Sequence, residues 1–243
     1  MMGGTLYGIG VGPGDPELIT VKGASVLTQC PHVFVPKTRT SAGSVALAIA
    51  GRYIGQNTQI HELLFPMTSD ENILSCQWEE NARAVASVLK AGEDACFITL
   101  GDLFLYSTFI YLLREIRKLM PAVNVVSVPG VTSFSAAASL SSFSVGEGRK
   151  PVAVIPAAAD DLAAVREALG KTGTVILMKI GRRLPEILDI LEHAGLIDRS
   201  IFVARAGMEG ERVETDLRNL RNMGPEAGYL SIILVHAGKE EKQ

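Results

Sequence analysis

Three short segments carry residue types that bind or transform a ligand, and each follows an apolar run. The first is Gly8-Ile9-Gly10-Val11-Gly12-Pro13-Gly14-Asp15. Its spacing is not that of a dinucleotide fingerprint: G-x-G-x-x-G begun at Gly8 ends on Pro13, and begun at Gly10 it ends on Asp15. Nor is it a phosphate-binding P-loop, since no Gly-Lys-Ser/Thr follows, Pro13 lacks an amide donor and Asp15 would repel the anion. What remains is backbone that a ligand can approach closely, stiffened by Pro13. A tight strand-to-helix connection with no ligand fits the same residues.

The second segment runs Ala95 to Leu100 into Gly101-Asp102-Leu103-Phe104-Leu105-Tyr106-Ser107-Thr108. Ligands of open α/β sheets gather at the carboxyl ends of strands, which makes Asp102 a candidate functional carboxylate. A turn or helix-capping aspartate is the plain alternative. The third is Val128-Pro129-Gly130-Val131-Thr132-Ser133, where Pro-Gly turns the chain and Thr132 or Ser133 caps the next helix. Basic residues also follow strand candidates: Lys37 and Arg39, then Lys179, Arg182 and Arg183, then Arg205. Arginine forks suit carboxylates, although a basic loop surface accounts for any one of them. His32, His61, His193 and His236 show no metal-ligand spacing, and Cys30, Cys76 and Cys96 form neither a Cys-x-x-Cys pair nor a disulfide framework, so all three read as buried reduced thiols.

Positioning such segments requires strands alternating with helices, the pattern of an α/β protein with a largely parallel sheet. The strand candidates are Thr5 to Gly10, His32 to Val35, Ala95 to Leu100, Asn124 to Val128, Val152 to Ile155, Thr174 to Lys179, Ser200 to Arg205 and Leu230 to Val235. Helices are expected from Asp15, over Ser41 to Ile54, Asp70 to Lys90, Ser107 to Met120, Asp160 to Leu169 and Arg182 to Ala194; Glu209 to Asn222 has no clear period. The polar, glycine-bearing stretch 141–150 puts a domain boundary there, giving domains 1–140 and 141–243. A net charge of −3 from 23 basic and 26 acidic residues argues against nucleic-acid binding but not against an anionic metabolite. No apolar run approaches the ~20 residues of a bilayer span, and the N-terminus has no basic region leading an apolar block. The expected compartment is the cytoplasm.

The three segments in this order resemble the tetrapyrrole methylase family, the S-adenosylmethionine-dependent methyltransferases of cobalamin and sirohaem synthesis. The matching residues are Gly8 to Gly23, Gly101-Asp102, and Val128 to Ala136, and the resemblance spans about residues 4–236. Within the family it is strongest to members that methylate C20 of precorrin-2 or cobalt-factor II. It rests there on Phe65-Pro66-Met67-Thr68, Trp78, Thr99 to Phe109, and Val154 to Ala157. One departure is Leu103, where the family usually has proline after Gly-Asp.

The resemblance implies two small α/β domains with the active site in a cleft between them. It also implies S-adenosyl-L-methionine as cofactor, S-adenosyl-L-homocysteine as product, no protein-bound metal, and a homodimer. By motif position, the cofactor contacts are Pro13, Leu100, Gly101, Asp102, Leu105, Tyr106, Thr132, Ser133, Met178, Ala206 and Ser231. Asp102 is then a candidate to assist proton loss from the methylated carbon, or only to orient ligands. Lys37, Arg39, Lys179 and Arg205 are candidates for the substrate carboxylates. The alternatives are methylation at C11, C17 or uroporphyrinogen III, and a non-catalytic module that keeps only the cofactor site.

Overall fold

Apolar runs with long intervening segments favour parallel strands, because a parallel neighbour is reached only by crossing back over the sheet. In the computed structural model, which describes residues 3–38, 43–158, 162–171 and 173–238, the first half follows this rule. Strands β1 (Thr5–Gly10), β2 (His32–Lys37), β3 (Gln59–Leu64), β4 (Ala95–Thr99) and β5 (Asn124–Val128) form one all-parallel sheet in the order β3-β2-β4-β1-β5. Helices α1 (Val21–Gln29) and α2 (Val45–Ala50) lie between β1 and β3 in the chain, whereas α3 (Glu71–Lys90) and α4 (Phe109–Leu119) lie between β3 and β5. The two pairs connect in opposite directions across the sheet. Right-handed crossovers therefore send them to opposite faces. The α3/α4 face buries Leu6, Phe34, Phe97, Phe109, Leu112 and Ile116.

Strand β3 was not expected, because Gln59-Ile60-His61-Glu62 lacks an apolar run; it is an edge strand, with Gln59, Ile60 and Glu62 exposed. Asp15 does cap a turn, accepting from Glu17 N at 2.8 Å, but that turn is a 3₁₀ segment, Pro16–Leu18. Ile19 and Thr20 are extended, and α1 starts only at Val21, where the Thr20 hydroxyl accepts from Gly23 N at 3.1 Å. The helix expected from Ser41 is also shorter: Ser44 caps α2, which gives way to a 3₁₀ turn at Gly51–Tyr53, and Ser41 itself is outside the described residues.

The second sheet comprises β6 (Val152–Pro156), β7 (Thr174–Met178), β8 (Ser200–Ala204), β9 (Arg212–Glu214) and β10 (Ser231–His236), in the order β6-β7-β10-β8-β9. Only β6 and β7 are parallel, which corrects the expectation of a largely parallel sheet for this half. The loop 205–211 makes β8 and β9 a hairpin, and β10 runs between β7 and β8 in the reverse direction. Helices α5 (Ser133–Ser141), α6 (Ala163–Leu169) and α7 (Leu184–His193) belong to this half; Asp160 lies outside the described residues. Leu177, Ile187, Leu188, Leu191, Phe202 and Ile233 lie in its core. The unplaced stretch 209–222 holds β9 and a 3₁₀ turn, Leu217–Leu220.

The chain divides into units Met1–Thr132 and Ser133–Gln243, so the division precedes α5 instead of following it. The reason is packing, since α5 lies against β8 and β10. Among the described residues, no helix is long and apolar enough to cross a membrane. Cys30 and Cys96 are buried, but Cys76 is exposed on α3, which corrects the expectation that all three cysteines are buried.

Two histidines make the fold sensitive to acid. His61 stacks on Phe34 at 4.6 Å and places Nε2 3.0 Å from Nδ1 of His32, whose other nitrogen bonds Glu93. Burial, then the His32 charge, pushes the His61 pKa below the usual 6.5. His236 stacks on Phe143 at 4.0 Å and is lowered likewise, by burial and then by Arg199 and Lys150. A lowered imidazole pKa means that the unfolded chain takes up the proton first. Stability is then full above about pH 6.5 and falls on acidification below it. The urea midpoint is expected to fall between pH 7.5 and pH 5.5, and to fall less in a His61→Gln, His236→Gln variant; equal falls would contradict this origin.

Candidate active site

Because β4, β1 and β5 are adjacent and parallel, their carboxyl ends share one sheet edge. The three segments picked out in the sequence therefore meet. Val11 N donates to Thr99 O at 2.9 Å, continuing the ladder by one step. Gly12 and Gly101 then exchange hydrogen bonds of 3.2 and 2.7 Å, an antiparallel bridge laid across the ends of parallel strands. Both residues are left-handed, with φ of 81° and 72°, a conformation glycine adopts without a Cβ penalty. Beside them, a Cβ on Gly130 would stand 2.1 Å from Gly101 O and 2.8 Å from Gly10 Cα. Three backbones thus touch with no side chain between them.

Asp102 fastens this arrangement. Its Oδ1 accepts from Phe104 N at 2.9 Å and its Oδ2 from Gly130 N at 3.1 Å, so one half-buried carboxylate ties the β4 loop to the β5 loop. Its turn-capping alternative is thereby realised. Leu103, the departure from the family pattern, is fully buried, and its Cδ2 fills the space that a Cβ on Gly8 would need, 2.4 Å away. Apolar packing over β1 replaces the stiffness of proline at this point. Ser107 accepts from Phe109 N at 3.1 Å and donates to Thr99 Oγ1 at 3.0 Å, which joins the start of α4 to the end of β4.

The remaining first-unit candidates surround these loops. Pro13 is buried, Leu100, Leu105 and Thr132 are half-buried, and Tyr106 is exposed with a left-handed φ of 53°. A bulky residue in that conformation costs roughly 1 kcal/mol or more, which the packing of the loop must offset. Gly10, Gly12 and Gly130 were not among the named site residues. Their signal was present, a glycine at the end of each of three strands, but glycine has no side chain to suggest a role.

The second-unit candidates also collect on one edge, because β10 begins where its antiparallel neighbours β7 and β8 end. Met178 closes β7, Ala206 follows β8 and Ser231 opens β10; all three are buried. Ser133, half-buried, opens α5. Ser231 Oγ donates to Gly228 O at 2.8 Å, and Arg205 N donates to Leu230 O at 2.9 Å. Lys179, Arg205 and Leu230 are all left-handed, with φ between 52° and 57°. Of the substrate candidates, Lys179 and Arg205 are exposed on this edge, and protein packed around the Lys179 ammonium lowers its pKa. Lys37 is paired with Glu62 at 2.8 Å, Arg183 with Glu186 at 3.0 Å, and Arg39 lies outside the described residues.

The glycine-lined strand ends leave backbone that a ligand can approach closely. In comparison with known sequences, residues 5–221 match the family Tetrapyrrole (Corrin/Porphyrin) Methylases. The chain belongs to that family. Among individual tetrapyrrole methylases, it is 35% identical to the cobalt-precorrin-2 C(20)-methyltransferase of Salmonella typhimurium, over 97% of each chain. It is 32% identical to a probable cobalt-precorrin-2 C(20)-methyltransferase of Methanocaldococcus jannaschii, over 95% of each, and 28% identical to the precorrin-2 C(20)-methyltransferase of a Sinorhizobium species. In fold it matches a cobalt precorrin-4 methyltransferase with a TM-score of 0.76 at 20% identity, covering 97% of this chain and 96% of the other. It also matches the Thermus thermophilus uroporphyrin-III C-methyltransferase complexed with S-adenosyl homocysteine, with a TM-score of 0.66 at 20% identity, over 98% and 97% of the two chains.

Two substitutions test the geometry. Gly130→Ala forces a methyl into two backbones that cannot give way, and is expected to destabilise the fold by about 3 kcal/mol or more in urea titration; a loss under about 0.5 kcal/mol would show that the loops are not in contact. Asp102→Ala leaves the amides of Phe104 and Gly130 without their carboxylate, and is expected to cost about 2 kcal/mol. Unchanged stability would refute the tie.

Proposed function

We propose that this chain is an S-adenosylmethionine-dependent methyltransferase acting at C20 of precorrin-2 or its cobalt form, in corrin ring synthesis. The observation that carries the reading is full-length similarity, 35% over 97% of both chains, to a relative named for that reaction. The relatives at 35% and 32% identity, each matched over at least 95% of both chains, are named for the cobalt-bearing substrate.

The residues present fit the cofactor. A phosphate-free ligand needs backbone amides and carbonyls rather than a cationic cradle, and the edge formed by Gly10, Gly12, Gly101 and Gly130 offers these with no Cβ in the way. Pro13, Leu100, Gly101, Asp102, Leu105, Tyr106, Thr132 and Ser133 are the proposed contacts. Met178, Ala206 and Ser231 are carried into the proposal by the motif resemblance. When bound, S-adenosylmethionine supplies a methyl group already activated by its sulfonium.

The work left to the protein is placement, which lowers the barrier by fixing the reacting partners in line. Asp102, with both oxygens engaged by backbone amides, is better suited to hold the loops in register than to carry a proton away. Arg205, exposed, and Lys179, whose ammonium has protein packed around it, are the proposed partners for the carboxylates of a tetrapyrrole. A cytoplasmic homodimer that binds neither membrane nor nucleic acid completes the proposal, on the family resemblance and the net charge of −3.

The test is incubation with methyl-labelled S-adenosylmethionine and, in parallel, precorrin-2 and cobalt-factor II, followed by mass and NMR analysis. One labelled methyl at C20 is the expected product. Label at C11, C17 or the uroporphyrinogen positions would replace this reading with another ring methylation. Binding of S-adenosylhomocysteine without any transfer would leave a non-catalytic module.

A further inference from the structure

Phe65-Pro66-Met67-Thr68 and Trp78 have no part in the proposed cofactor contacts, yet the fold brings them beside those loops. The segments that follow β3 and β4 both leave the carboxyl edge of the first sheet toward α3 and α4, which pack together on one face. Residues 65–70 and 103–108 therefore share a corner. Only β2 stands between β3 and β4, so the two strand ends are roughly 10 Å apart.

A row of rings joins the two segments. Phe65 meets Phe97 edge to face at 6.0 Å, Phe97 stacks on Phe109 at 5.8 Å, and Phe109 meets Phe104 edge to face at 5.8 Å. Phe65, Phe97 and Phe109 are buried, whereas Phe104 is 53% exposed. At the other end of the row Met67, two residues beyond Phe65, is 81% exposed.

The exposed side chains stand on segments that are bonded in place. Phe65 N donates to Lys37 O at 2.8 Å, the side-chain amide of buried Asn81 donates to Leu64 O at 2.7 Å, and Asp70 N donates to Thr68 Oγ1 at 3.1 Å. Phe104 N is held by Asp102 Oδ1. Behind them Trp78 of α3 stacks on Tyr111 of α4 at 4.4 Å, which ties the two helices together. Scattered apolar side chains at a surface are ordinary, but large ones gathered at one corner and held there mark a contact site.

We propose that Phe104 and Met67 form the platform on which one face of the tetrapyrrole substrate rests. The inference rests on the methyltransferase reading above and adds to it the surface that holds the acceptor. Phe104 lies beside Leu105, a proposed cofactor contact, and two residues from Asp102. Methyl transfer requires the accepting carbon in line with the donor methyl, so the acceptor must occupy surface continuous with the cofactor loops. A tetrapyrrole carries its carboxylates at the rim and leaves its ring faces flat and apolar, which suits an aromatic edge and a pliable thioether. The separation of the two strand ends is about the breadth of one such macrocycle.

The experiment titrates the full chain, saturated with S-adenosylhomocysteine, with precorrin-2 and cobalt-factor II in parallel. Binding is followed by quenching of Trp78, the single tryptophan of the chain. Affinity for S-adenosylhomocysteine is measured separately by calorimetry. Phe104→Ala is expected to weaken tetrapyrrole binding about tenfold, and addition of Met67→Ser to weaken it further, while affinity for S-adenosylhomocysteine stays within about twofold. Phe104→Tyr, which keeps the ring, should bind as the native chain does. So should Leu119→Ala, a half-exposed apolar residue at the far end of α4. Native tetrapyrrole affinity in the double variant would overturn the platform and leave the methyltransferase reading intact. An equal loss of affinity for S-adenosylhomocysteine would also overturn it, since that is the result of Phe104 merely supporting the loop. If the native chain neither binds nor methylates either tetrapyrrole, the methyltransferase reading itself fails and the platform with it.

Discussion

The organisation of the first unit depends on one steric constraint: three strand ends approach so closely that no side chain fits between them. Gly10, Gly101 and Gly130 come from β1 and from the loops after β4 and β5, and a single Cβ at Gly130 would penetrate the backbone of both neighbours. Close approach of this kind leaves amides and carbonyls at the surface of the edge, where they must be bonded to one another or to a ligand. The Gly12–Gly101 bridge and the Asp102 carboxylate meet part of that need. The residues proposed for the cofactor lie around what remains.

The second unit reaches a similar end by different means. Its mixed sheet also gathers candidate residues on one edge, but there the backbone is turned by side-chain-bearing residues in the left-handed region. Among the described residues, six other than glycine have positive φ, and three of them, Lys179, Arg205 and Leu230, directly adjoin β7, β8 and β10. Left-handed conformations are unfavourable for such side chains and persist only where the surroundings impose them. Their concentration at these ends sets the strand edges apart from the other loops of the molecule. A second glycine approach, Gly228 against Gly181 O at 1.9 Å from the ideal Cβ, holds the same edge together.

Much of this was legible in the amino-acid sequence where apolar content and turn residues agree. β1 and β5 begin and end where their apolar runs do, and α3 starts at Asp70, whose carboxylate accepts from Asn72 N and Ile73 N. What escaped has physical reasons. β3 is half polar because it is an edge, and β9 is three residues long within a charged segment. The orientation of β10 depends on pairing with strands distant in the chain, which no local pattern encodes. At the candidate site, the carboxylate and the small residues could be named from spacing, but the partners of Asp102 could not. Its bond to Gly130 joins residues 28 positions apart, a contact that spacing along the chain does not reveal.

The central claim is that the glycine-lined edge of the first sheet is where this tetrapyrrole methylase holds its cofactor. A crystal structure of the chain with S-adenosylhomocysteine tests it most directly. The account predicts the ligand against residues 11–13, 100–106 and 130–132, with the Gly12–Gly101 bridge and the Asp102 bonds intact. Ligand bound away from all three loops, with that edge left to solvent, would contradict it.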